Sequence, residues 1–358
     1  MTERLISADS HVNLSHDRVK EHLAGEYHPA YDGAVAAYQA QMQRTMGAGQ
    51  ANANSMKDNP HAAFTRPGYS DAAERLLDMD TDGVEVEVVY SEASGFRYLY
   101  LFDDPRSAVA ATRAFNDTIL EWGSADPKRL IVSCQVPVHD LDLAVGEVER
   151  VVAAGCKSLQ LPVFPTEVGA PDYHDDAFEP LLGAIQETGI PICCHIGLNT
   201  ALDDLARRDP TPQKGVMVPM TALSTAEAFG MWILGGVFER FPDLKVVYVE
   251  PGLGWVAWYL ATIDDMVQRQ GYVFDRITRR PSEYFHRNMW LTFIEEQTAL
   301  EKLRDELGVE NLLWSTDYPH PVTSWPDSRA LVEQQFAGVP AAERELILSG
   351  NALRVWNL

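Results

Sequence analysis

Residues 190–197 read Ile-Pro-Ile-Cys-Cys-His-Ile-Gly, an apolar run without polar alternation that carries a single histidine. An unbroken run of this kind suits a strand buried on both faces, as in a parallel sheet, better than a strand with one wet face. A helical pattern over 178–188 precedes it and stops at Gly189, the residue type that most readily closes a helix. Working outward, comparable runs occupy 5–8, 84–90, 130–136, 156–163, 244–250, 289–293 and 311–315, with IVSCQV (131–136) and KVVYV (245–249) equally continuous. Helical patterns alternate with them: 104–123, where Ala110, Ala114, Phe115 and Ile119 share a face; 141–154, before Gly155; 255–269; and 299–307, before Gly308. Strand and helix alternating through eight units predict an α/β fold, a (β/α)8 TIM barrel over 1–358 as a single domain. An open doubly wound sheet competes with it, but no GxGxxG and no phosphate-binding glycine loop follows the first strand.

Two segments interrupt the alternation. Residues 31–70 are rich in Ala, Gln, Asn and Met and follow the first strand; residues 198–235, with Pro210, Pro212 and Pro219 among Met217, Met220 and Met231, follow the fifth. An insertion after a barrel strand lies over the catalytic face, so each reads as a lid or pocket wall, with an oligomer interface as the alternative.

The chain has 52 acidic and 29 basic residues among 358, a formal charge of −23. Such a surface repels nucleic acid and anionic lipid, so neither is expected as a partner. A small anionic substrate stays open if the site is locally positive. No stretch reaches the roughly 18 to 20 uninterrupted apolar residues of a membrane helix, and the opening residues do not read as an export signal. Cys134, Cys156, Cys193 and Cys194 form no CxxC pair and sit in or beside apolar runs, as reduced buried thiols do. A soluble, cytoplasmic protein is expected.

The chemistry gathers where the strands end. The first strand ends in Asp9-Ser10-His11, the fifth in His195, the sixth in Glu250, and the eighth in Asp317, followed by Tyr318-Pro319-His320. In a barrel these positions share the face on which active sites are built. Asp9 and His11 are two apart, so an extended strand puts both on one side, able to grip one ion. Imidazole with carboxylate suits Zn first, with Mn or Fe as alternatives, and leaves positions for water and substrate. Four metal-competent side chains at matching strand ends predict a divalent metal site.

DSH near the start, CHIG (194–197), VEPGLGW (249–255), STDYPH (315–320) and GNALRVW (350–356), in that order, resemble the amidohydrolase-related family, in particular its aminocarboxymuconate semialdehyde and resorcylate decarboxylase group. The resemblance spans residues 4–358 and implies a (β/α)8 barrel with a divalent metal, held here by Asp9, His11, His195 and Asp317. There are departures. The decarboxylases usually have His or Glu at position 9, many relatives have Glu where this chain has Leu14, and Glu250 replaces a catalytic His. LQLPVF (159–164) offers no Lys for the carbamate of dinuclear relatives, which favours one ion over two.

The first functional expectation is therefore a metal-dependent hydrolase of a small organic substrate, using an activated water. Asp317 would move the proton and Glu250 would act as second acid/base or as a ligand, while His320 stabilises charge or hydrogen-bonds a ligand. The alternative is a non-oxidative decarboxylase, or carboxy-lyase, of an aromatic or enol-type carboxylate, with Asp317 or Glu250 as the proton donor. An iron-dependent redox enzyme and a silent partner subunit rank below both. A small-molecule substrate and a homo-oligomer, most simply a dimer, are the expected associations.

Overall fold

The computed structural model describes residues 3–46, 63–92, 97–197 and 199–358. Each of the eight sequence runs overlaps one strand, the first two extending beyond the run: β1 (Ile6–Val12), β2 (Val86–Ser91), β3 (Leu130–Gln135), β4 (Ser158–Gln160), β5 (Ile192–His195), β6 (Val246–Val249), β7 (Met289–Phe293) and β8 (Leu312–Trp314). They pair in parallel in the order of the chain. The ring closes where β1 meets the segment after β8: Ser10 bridges Tyr318, the Asp317 N–H donates to Asp9 O at 3.1 Å, and the His11 N–H donates to Tyr318 O at 2.5 Å. This is the (β/α)8 barrel that the alternation predicts.

Period-two geometry divides each strand between two apolar environments. Ile6, Val88, Ile131, Cys193, Val247 and Leu313 fill the barrel, while Val89, Val132, Ile192, Val246, Leu291 and Leu312 pack against the surrounding helices. Of all strand residues only His195, at the end of β5, is not fully buried. Val355 and Trp356, in and just after the short helix Asn351–Val355, join the interior cluster with Ile6 and Val86 at the strands' N-terminal ends. The opposite end is left for chemistry. All four cysteines are buried free thiols.

The interruptions fall after β1 and β5, as read, although 47–62 of the first lie outside the described residues. The first contributes the helix His28–Met46, and the second contributes Thr200–Arg208, Met217–Leu223 and Ala226–Leu234. Gln41 Nε2 donates to Asp203 Oδ2 at 3.3 Å, joining the two insertions. The span Met217–Arg240 is apolar and long enough on composition to cross a membrane. Here it is broken near Ser224 and at Gly235–Gly236, and Phe229, Trp232, Ile233 and Phe238 are buried in the protein core.

The helix Ala72–Asp82 inverts the usual pattern. It buries Arg75, Asp78, Met79 and Asp82, while Leu77 is 59% exposed. Its burial is polar because it carries a clamp. The fully buried Arg75 donates from Nε to Gly68 O (2.8 Å), from Nη1 to Glu87 Oε2 (2.8 Å) and from Nη2 to His11 O, and its guanidinium lies 4.2 Å from the Tyr318 ring centroid. One cation thus ties β1, β2 and the segment after β8 together. Arg75→Met, which strands the Glu87 charge in the core, is expected to cost about 3–5 kcal/mol in urea unfolding, with much of it recovered in Arg75→Met/Glu87→Met. A loss below about 1 kcal/mol for the single variant would rule the clamp out as a stabilising element.

Candidate active site

The strand ends deliver their side chains to one place. The β1–β2 register shifts between Ser7 and Ser10, a bulge-like irregularity at the residues that carry Asp9 to the barrel mouth. Glu250 and Asp317, just past β6 and β8, both take left-handed backbone conformations, with φ of 60° and 52°. Side chains other than Gly occupy this region at a cost, and such residues concentrate at functional sites. The turn at Glu250 is held by its N–H donating to Thr292 Oγ1 at 2.7 Å.

Asp9, His11 and Asp317 are buried. His11 Nε2 lies 3.2 Å from Asp317 Oδ1, 3.6 Å from Asp9 Oδ1 and 3.2 Å from His195 Nε2, and His195 Nε2 lies 3.4 Å from Asp9 Oδ1. Yet neither carboxylate has an aligned hydrogen-bond partner for either oxygen among the described residues. The groups converge on shared space at ion-pair distances, without aligned hydrogen bonds to those carboxylate oxygens. Buried ionised carboxylates left so are strongly unfavourable unless a cation compensates them. Two imidazoles and two carboxylates converging in this way fit a divalent ion. The His195 Nδ1–H donates to Ile196 O at 2.8 Å, which leaves Nε2 directed at the cluster. Possible ligand atoms of Asp9, His11, His195 and Glu250, and likewise of His11, Glu250, Asp317 and His320, lie within 4.8 Å of one another in each group.

Every residue singled out from the sequence is in this constellation. His320, read as either a charge stabiliser or a ligand's partner, stands between two carboxylates: Nδ1 lies 2.7 Å from Asp317 Oδ1 and Nε2 lies 2.9 Å from Glu92 Oε2. Glu92 also accepts from Tyr69 Oη at 3.0 Å. Glu92 escaped the sequence reading because the second run was ended at Tyr90; the cue was an acidic residue just beyond a strand end. Arg75 and Arg97 were likewise not singled out. His16, His139, His174 and His286 stay outside the donor set: His16 bonds Tyr31 (2.9 Å), and His139 stacks on Tyr100 with ring centroids 5.9 Å apart.

The electrostatics separate the two carboxyls that lie past the ends of β6 and β8. Burial, reinforced by the Asp317 and Asp9 charges, holds Glu250 well above the ordinary carboxyl range. Burial also works upward on Asp317, but His320 and His11 outweigh it and hold that carboxyl well below the range. For His195, burial is opposed and overcome by Asp9, which lifts the imidazole to about 9. Two nearby carboxyls driven apart in this way form an acid/anion pair. Glu250 makes no side-chain hydrogen bond among the described residues and, with His11, His195 and His320, lines a cavity of about 650 Å³. Tyr38 and Met42 from the first insertion, and Met217 and Thr225 from the second, form part of its walls.

Comparison with known proteins supports the same conclusion. A family profile described as Amidohydrolase matches residues 8–358. The chain belongs to the amidohydrolase family. It is 23% identical over 288 residues to a 2-amino-3-carboxymuconate-6-semialdehyde decarboxylase of Dictyostelium discoideum, covering 79% of this chain and 76% of that protein. The crystal structure of a 5-carboxyvanillate decarboxylase from Sphingomonas paucimobilis superposes with a TM-score of 0.76 at 24% identity, over 100% of both chains. A dihydroxybenzoic acid decarboxylase from Polaromonas sp., solved with bound manganese and the inhibitor 2-nitroresorcinol, gives a TM-score of 0.69 at 19% identity, over 100% of this chain and 98% of that one. The likeness to these two structures establishes the fold. This amidohydrolase-family chain is an enzyme whose similar proteins carry decarboxylase names, which fits the carboxy-lyase alternative better than the hydrolase expected first. A divalent metal agrees with these neighbours, and the ion named in that structure is manganese rather than the zinc expected from ligand chemistry alone.

Protein purified without added metal is expected to carry close to one divalent ion per chain by elemental analysis. The double variant His11→Ala/His195→Ala is expected to fall below about 0.2. An unchanged low occupancy in both would remove the metal site.

Proposed function

We propose that the protein is a divalent-metal-dependent, non-oxidative decarboxylase of a small aromatic or enol-type carboxylate. The observation that carries the reading is the Glu250 carboxyl: it is free of hydrogen bonds among the described residues, lines the cavity and stands within the donor cluster. Decarboxylation needs a proton delivered to carbon, and a carboxyl that burial keeps protonated is suited to give one. The decarboxylase names of the similar proteins support the same reaction.

Asp9, His11, His195 and Asp317 would hold the ion, whose chemistry is to neutralise and orient the substrate carboxylate and a neighbouring oxygen. Glu250 gives its proton to the carbon bearing the carboxylate; the C–C bond then breaks, its electron pair returns to the ring or enol, and CO2 departs. The Glu250 carboxylate regains a proton from solvent. His320, between Asp317 and Glu92, holds the Asp317 carboxylate in place and anionic. The cavity's tyrosines and methionines exclude water around a planar substrate.

Incubation of the metal-loaded protein with hydroxylated aryl carboxylates is expected to release CO2 and the decarboxylated arene. Glu250→Gln should lower that rate by about 10²- to 10⁴-fold while keeping its metal. Asp317→Asn should abolish turnover with the fold retained by circular dichroism. Ester or amide hydrolysis, with no CO2 from any carboxylate in the panel, would restore the hydrolase reading.

A further inference from the structure

Arg97 opens the short 3-10 turn Arg97–Tyr100 after β2, and it lines the same cavity as His11, His195 and Glu250. Its guanidinium lies against Gly197, two residues past His195: a Cβ built there would stand 3.4 Å from Arg97 Nη2 and 3.8 Å from Cζ. A bare backbone at 197 leaves the space that the guanidinium occupies. Arg97 is partly buried, and burial pulls its pKa below the ordinary arginine value, as expected for a cation taken from water without full compensation.

The acids around Arg97 are committed elsewhere. Glu167 accepts the Thr200 N–H on both oxygens, at 3.1 Å each, and Asp203 accepts from Gln41 at 3.3 Å. Each acts on Arg97 through charge alone, without a hydrogen bond to it. Tyr38 and Tyr100 line the same cavity and act on the guanidinium through charge. A guanidinium in a cavity wall, without an acid bonded to it among the described residues, is matched by a carboxylate, which its fork can take with two parallel hydrogen bonds.

We propose that Arg97 is an anion subsite separate from the metal cluster, binding a second carboxylate of the substrate, and that the enzyme therefore prefers an aromatic dicarboxylate to a monocarboxylate. This assignment rests on the decarboxylase reading for which carboxylate reacts, but not for which one Arg97 holds. In a chain of net charge −23, a second cationic group also offsets the repulsion that a dianion meets at the cavity.

The probes are benzene-1,3-dicarboxylate and benzoate, titrated calorimetrically into manganese-loaded protein. Wild type is expected to bind the dicarboxylate about 10-fold or more tightly than benzoate. Arg97→Gln should weaken the dicarboxylate by about 10- to 100-fold while changing benzoate less than about 3-fold. Arg97→Lys, which keeps the charge but not the fork, should fall between, and it carries the test if the Gln variant does not fold. No preference in wild type, or an equal loss for both probes, overturns the subsite. A preference that collapses at Arg97 upholds the subsite even if no carboxylate releases CO2, whereas CO2 release with an unchanged preference overturns the subsite alone.

Discussion

The barrel closes through the residues that carry the chemistry. The hydrogen bond from the Asp317 N–H to Asp9 O, with its neighbour from the His11 N–H to Tyr318 O, is where the end of the last strand is sewn to the first. The same three residues, Asp9, His11 and Asp317, contribute donor atoms to the buried cluster. Ring closure and site geometry are thus one constraint. Arg75 reinforces it from behind, bonding His11 O and Glu87 while lying over Tyr318. A parallel barrel has no free edges, and here the final seam is placed at the chemically most demanding point.

That placement explains the electrostatic layout. Asp9 and Asp317 are held side by side by the backbone, so their charges cannot be relieved by moving apart. The imidazoles of His320 and His11 hold the anionic form of Asp317, while burial and the charges of Asp317 and Asp9 drive Glu250 toward its neutral acid form. The donor and the anion differ by surroundings rather than by residue chemistry. On a chain of −23, Arg97 in the cavity wall is a cation set among these acids, and a divalent ion in the cluster would offset more of their charge.

The sequence was most legible where burial is complete. Runs such as KVVYV are apolar on both faces, so their type and order could be read, and the polar residues at the ends of the first, fifth, sixth and eighth strands fell at the barrel mouth. Boundaries were less legible. The fourth run was read over 156–163 but contains only Ser158–Gln160 as strand, because Leu161 onward packs as loop under the same apolar demand. The sixth was extended to Glu250, which leaves the strand by a left-handed turn that periodicity cannot register. Arg75 was illegible for another reason: on Ala72–Asp82 Arg75, Asp78 and Asp82 face inward and Leu77 faces out, so the hydrophobic pattern points the wrong way. Glu92 and Arg97 earn their positions from loops whose course depends on the folded barrel.

The seam also orders events in time. Ser7 and Thr316, which hydrogen-bond through their hydroxyls beside it, are separated by 309 positions. At the roughly 5–20 residues per second of protein synthesis, the segment bearing Asp9 and His11 emerges from the ribosome some tens of seconds before Asp317 exists. Asp9 and His11 must wait for Asp317 and Tyr318 while most of the barrel is made, and the pairings across the seam join the two ends of the chain. A site that draws on both ends of the chain is therefore complete only once nearly all of it has been made.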